Sequence, residues 1–111
     1  MGPHAPAFLR ARALEERVLE ASLKRGAKLV ARNIEIAGVE VDLIIEKNRE
    51  LHLIEIKSLQ SLDYLERRVT PSQRERLRRA LRALLEQGHQ ARAHLALVLP
   101  DRIKILADFF V

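Results

Sequence analysis

Asp42 is followed thirteen residues later by Glu55-Ile56-Lys57. Two carboxylates and an ammonium are groups that can hold a divalent cation against a phosphate. Hard oxygen donors suit Mg²⁺ or Mn²⁺, which keep several waters and share phosphate oxygens. In a strand alternate side chains share a face, so Glu55 and Lys57 point one way and Ile54 and Ile56 the other. An acid inside the aliphatic run Leu53-Ile54-Glu55-Ile56 loses its hydration, at a cost, unless it is paired or metal-bound. Two close carboxylates also raise each other's pKa. A cation removes both penalties, and the lysine beside it can orient an attacking water or stabilise charge on phosphoryl oxygens. The competing reading is a buried Glu55–Lys57 or Asp42–Lys57 ion pair that serves stability alone, since an E-x-K tripeptide is common by chance.

These residues need elements to position them. Phe8 to Lys24 carries Leu9, Leu14, Val18, Leu19 and Leu23 without internal Gly or Pro, and Gly26 ends it, which predicts a helix. Leu29 to Ile36 reads as a strand. Val39 to Glu46 alternates, with Val39, Val41, Leu43 and Ile45 expected on one face and Glu40, Asp42, Ile44 and Glu46 on the other. Lys47 to Glu50 reads as a hairpin turn before a strand from Leu51 to Lys57. Ser58 to Thr70 is expected as a loop. Thr70 is a candidate N-cap and Pro71 a favoured first residue for a helix reaching about Gln87, before Gly88. His94 to Leu99 and Arg102 to Leu106 are further strands, and the C-terminus reads as a helical turn. The order is α-β-β-β-α-β-β, an α/β chain of the α+β, mixed-sheet kind. On the last long helix Gln73 shares a stripe with Leu77, Ala80, Leu81 and Leu84 and should face inward, where a phosphate, a water or a backbone group would serve as its partner. Glu16 lies near Leu9, Leu19 and Leu23 and is read either as an assisting acid or as a surface charge.

Composition narrows the function classes. The 111 residues fit one domain, 8–111, with 1–7 expected as a disordered or non-native N-terminal extension. No cysteine is present, which removes disulfides and a thiol nucleophile. No apolar run approaches a membrane span, and a cytoplasmic location is expected. The four histidines show no ligand spacing, and no phosphate-binding glycine loop occurs. The net charge is +5. Arg67, Arg68, Arg74, Arg76, Arg78, Arg79 and Arg82 against Glu66 and Glu75 place +5 between residues 66 and 82, and the remainder balances at 13 basic and 13 acidic residues. A localised cationic stripe on a neutral body fits a polyanion, although a solvated helix face produces the same pattern. Few aromatics (Phe8, Tyr64, Phe109 and Phe110) argue against a base-stacking platform.

The pattern Val39-Glu40-Val41-Asp42-Leu43-Ile44, then Leu53-Ile54-Glu55-Ile56-Lys57, resembles the PD-(D/E)xK nuclease superfamily. Within it the chain is similar to the YraN-like family and its relatives, the archaeal Holliday-junction resolvases. The likeness runs from about Glu15 to Phe110 and includes Ala31-Arg32-Asn33 and Val69-Thr70-Pro71-Ser72-Gln73. Residue 73 is glutamine where YraN-like proteins commonly have lysine. The resemblance implies a restriction-endonuclease-like core, with Asp42, Glu55 and Lys57 on catalytic positions and Glu16 and Gln73 assisting. It implies Mg²⁺ or Mn²⁺ held by Asp42, Glu55 and the Ile56 backbone carbonyl.

The expected function is metal-dependent endonucleolytic cleavage of DNA, structured, branched or duplex, with Arg67, Arg68, Arg74, Arg78 and Arg82 gripping the backbone. A nucleic-acid-binding module without turnover and a protein-interaction domain with a merely structural acidic cluster are the alternatives. A homodimer would suit symmetric cutting of two strands, with the apolar run Ile103 to Val111 as a candidate interface, although core packing explains that run as well.

Overall fold

A computed structural model describes residues 6–110, so the expected extension at 1–7 lies mostly outside the described residues. The first helix, α1, spans Ala7–Lys24. The strands β1 (Lys28–Ile36), β2 (Val39–Lys47) and β3 (Glu50–Ser58) follow. The expected loop after β3 holds two short helical pieces, a 3-10 turn at Leu62–Tyr64 and α2 at Leu65–Arg68. Then come α3 (Pro71–Glu86), β4 (Ala91–Val98) and β5 (Ile103–Leu106).

The five strands form one mixed sheet in sequence order, antiparallel except for the parallel β3–β4 pair. Two-residue turns close the β1–β2 and β2–β3 hairpins. Ala37-Gly38 and Asn48-Arg49 all have positive φ, and such turns match the right-handed twist of the strands they join. The parallel pair needs a crossover, and α3 supplies it. Its start is a capping box. The Thr70 Oγ1 accepts from the Gln73 amide at 3.3 Å and the Gln73 Oε1 accepts from the Thr70 amide at 3.0 Å, with Pro71 at the first helical position.

Helices cover both faces. On one, α3 packs Leu77, Ala80 and Leu84 against Leu53, Ala93, Leu95 and Leu97. On the other, α1 packs Val18 and Leu19 against Leu43, Ile45, Ile54, Ala96 and Val98. The central strands are therefore buried on both sides, as a parallel pair requires. The expected alternation of β2 is corrected at Asp42. Val39 and Val41 join the α3 core, whereas Leu43 and Ile45 join the α1 core. Pairing between β2 and β3 extends only to Leu43↔Ile54, so the first half of β2 is held by β1 alone, and two-stranded ribbons twist more strongly.

The late apolar run is largely internal. Phe110 is fully buried, and Leu106 and Phe109 pack on the α3 core. Residue 111 lies outside the described residues. Among the described residues no helix is long and apolar enough to cross a membrane.

Candidate active site

The site forms where β2 and β3 part. Continuing the register one step beyond Leu43↔Ile54 sets Asp42 opposite Glu55. Residues directly opposed across antiparallel strands share a face, here the α3 face. The ladder does not continue there. Instead the Ile56 amide donates to the Asp42 Oδ2 at 2.8 Å, so a side chain closes the strand end that a backbone carbonyl has left. In an extended strand the amide and carbonyl of one residue point to the same neighbour. The Ile56 carbonyl therefore faces the same gap.

Asp42, Glu55 and Lys57 line one cleft of about 280 Å³, together with Glu40, Gln73 and Arg76, above a floor that includes Val39, Val69, Leu77 and Phe110. The Lys57 Nζ lies 3.3 Å from the Glu55 Oε1, and both side chains are largely buried. The two carboxyls are near enough to bear on each other's protonation. Burial, then the Asp42 charge, pushes the Glu55 carboxyl up to about 7. Burial also raises Asp42, against the pull of the Ile56 amide and Lys57. Two desolvated acids facing one another are an incompletely neutralised anionic pair. Their oxygens and the adjacent carbonyl are hard donors, which fit a small divalent cation. Among the described residues no third acid or histidine joins them as a ligand. Phosphate and water would complete the shell, as Mg²⁺ prefers.

The other expected residues divide. Gln73 reaches the cleft, but its Oε1 is engaged by the Thr70 amide in the capping box. Glu16 is not brought to the cleft, since it pairs with Arg32 of β1. The arginines expected to grip DNA are partly committed within the chain. Arg78 and Arg82 bond Glu75 at 3.6 and 2.9 Å, and the Arg74 guanidinium sits 4.4 Å from the centre of the Phe109 ring. Arg67 and Arg68 project from α2, both exposed. Arg76 was not singled out from the sequence, although its i+3 spacing from Gln73 puts it on the same side of the helix.

Sequence reading also gave His52 and His94 no role, yet they meet. The His52 Nδ1 is 2.7 Å from the His94 Nε2, and the His94 Nδ1 accepts from the Asp108 amide at 2.9 Å. The second contact requires a lone pair on the His94 Nδ1, hence a neutral ring, and burial, then the neighbouring His52, lowers its pKa. The pair lies on adjacent parallel strands, a contact that ligand spacing in sequence does not reveal.

Comparisons with known proteins bear on the fold and the family. The chain is 32% identical to a UPF0102 protein of Methylorubrum extorquens (strain PA1) over 114 residues, covering 92% of this chain and 89% of that one. Among solved structures it is similar to Archaeoglobus fulgidus Hjc, a Holliday junction resolvase from an archaeal hyperthermophile. The TM-score is 0.60 at 21% identity, covering 88% of this chain and 72% of that one. The structure of SSO0001 matches with a TM-score of 0.53 at 24% identity, over 95% of this chain and 52% of the other. The fold is thus restriction-endonuclease-like, a mixed sheet flanked by helices as in the Hjc resolvase. The model of the uncharacterised protein family UPF0102 matches residues 14–107, and the chain belongs to that family.

Proposed function

We propose that the protein is a divalent-metal-dependent endonuclease that hydrolyses phosphodiester bonds of structured DNA, branched or junction DNA included. One observation carries the reading. Asp42 and Glu55, from separate strands, meet in a cleft with Lys57 beside them, at the point where the strands part. A structural ion pair would call for one acid to one base. Here two buried acids share one lysine, and both carboxyls are raised toward the neutral form.

A Mg²⁺ or Mn²⁺ ion held by Asp42, Glu55 and the Ile56 carbonyl would supply Lewis acidity to the phosphoryl group. The chain's own groups do the rest. Asp42, braced by the Ile56 amide, and Glu55 fix the ligand oxygens before substrate arrives. The Lys57 ammonium stands beside Glu55, placed to orient the attacking water and to stabilise charge on the phosphoryl oxygens. Gln73 sits at the cleft wall with its oxygen committed to the helix cap, so its part is to hold the first turn of α3 over the site. Glu16 assists only indirectly, by tying α1 to β1 through Arg32. The likeness to a Holliday junction resolvase supports branched DNA as the substrate class, and the cationic α2–α3 segment supports a polyanion. Symmetric cutting of a junction calls for two copies, so a homodimer is part of this reading.

The test is a cleavage panel of four-way junction, duplex and single-stranded DNA with Mg²⁺ or Mn²⁺, run beside Glu55→Ala and Lys57→Ala. Cleavage by the wild type, lost in both variants while DNA binding persists, supports the assignment. Equal metal-dependent cleavage by all three proteins rejects it. Salt-dependent binding by the wild type with no turnover on any substrate would leave a binding module in its place.

A further inference from the structure

The cleft is lined by three acids, Glu40, Asp42 and Glu55, yet on this reading it must accept a polyanion, so a cation at its edge has to offset the repulsion. Lys57 is partly spoken for, at 3.3 Å from Glu55. The arginine-rich stretch offers seven guanidinium groups, but Arg74, Arg78 and Arg82 are engaged by Phe109 and Glu75. Of those that have no partner among the described residues, Arg76 is the one whose side chain lines the cleft. It is exposed, one helical turn beyond Gln73, whereas Lys57 lies within. The cleft is also small. At about 280 Å³ it is just below the roughly 300–1,000 Å³ typical of pockets that enclose a small ligand. Its aromatic wall, Phe110, is fully buried and presents no ring for stacking. The site therefore accommodates nucleic-acid backbone better than an extruded base.

We propose that Arg76 binds the phosphate adjacent to the scissile one and holds the nucleic-acid backbone at the rim of the cleft. This rests on the nuclease reading and deepens it. Arg76 is a positioning residue. A rim contact made equally in the ground state and the transition state strengthens binding without accelerating chemistry. The guanidinium fork can take two oxygens of one phosphate, which an ammonium cannot match.

The experiment measures DNA affinity by fluorescence anisotropy across a salt series with Mg²⁺ present, in the Lys57→Ala background to prevent turnover. Cleavage kinetics at saturating DNA are measured in the native background. Arg79 is the control, also exposed on the same helix but outside the cleft lining. Arg76→Ala is expected to weaken binding about tenfold and to reduce the salt slope by about 0.9, one phosphate contact, with kcat within about twofold of wild type. Arg76→Lys restores the slope and part of the affinity. Arg79→Ala changes affinity less than about twofold. Equal losses in Arg76→Ala and Arg79→Ala overturn the proposal in favour of a diffuse field. A fall in kcat at unchanged affinity overturns it by moving the contact to the scissile group. If the unsubstituted protein shows no salt-dependent binding at all, the nuclease reading fails and takes this inference with it.

Discussion

Replacing Glu55 by glutamine should stabilise the metal-free protein while abolishing its activity. Glu55 has an ordinary carboxyl pKa of 4.5 when exposed and about 7 in the folded chain, because of burial and the facing Asp42. At about 1.4 kcal/mol per pH unit, that rise corresponds to about 3 kcal/mol. For an acid whose folded value lies above its unfolded one, the unfolded chain gives up its proton first. The penalty is absent below about pH 4.5, grows between there and about pH 7, and is complete above. Glutamine cannot ionise and carries an amide able to donate to the facing Asp42, so Glu55→Gln escapes the penalty. For a domain of this size, about 3 kcal/mol is roughly 10 °C in melting temperature. Thermal melts in EDTA at pH 4.5, 6, 7 and 8 check this. The two proteins should melt together at pH 4.5 and diverge to roughly 10 °C at pH 8. Mg²⁺ should then raise the wild-type melting temperature by mass action but leave the variant where it was. A variant no more stable than wild type at pH 8, or a gap that does not change with pH, refutes the argument that the acid pair is held under repulsion.

Three further outcomes follow from the same structure. A cation competes with the proton on Glu55, so Mg²⁺ or Mn²⁺ affinity measured calorimetrically should rise up to about tenfold per pH unit below pH 7 and level off above it. Thr70→Ala removes one half of the capping box and should lower stability by about 1 kcal/mol in urea titrations, and it should slow cleavage by loosening the first turn of α3 over the site. The buried His94 has a folded pKa below its ordinary value, so the unfolded chain takes up the proton first and stability falls as pH drops through about 6.5. The wild type minus His94→Gln difference in urea midpoint should therefore shrink from pH 8 to pH 5.

How much of this was legible beforehand depended on range. Local patterns spoke directly. Thr70, Pro71 and Gln73 specified a capped helix start, and the structure forms it within the expected bounds. The i, i+2 placement of Glu55 and Lys57 on one strand face needs only the pleat, and their 3.3 Å contact follows from it. Element order was equally legible, since apolar periodicity and glycine stops are properties of short windows. What failed was alternation through Asp42. Period 2 predicts one core only while the strand keeps an even twist, and up to Asp42 β2 is paired with β1 alone, where a two-stranded ribbon twists more strongly.

The chain by itself determined which residue types lie on which strand, how the helix over the site begins, and that positive charge collects between residues 66 and 82. Only the tertiary structure decided which charges remain available. Arg74 is taken by Phe109 and Glu16 by Arg32, each distant in sequence, while Arg76 is left at the cleft. Backbone propensity acts over a few neighbours. The partner of a charged side chain depends on which distant segments the packed core sets beside it, and no window of sequence contains that information.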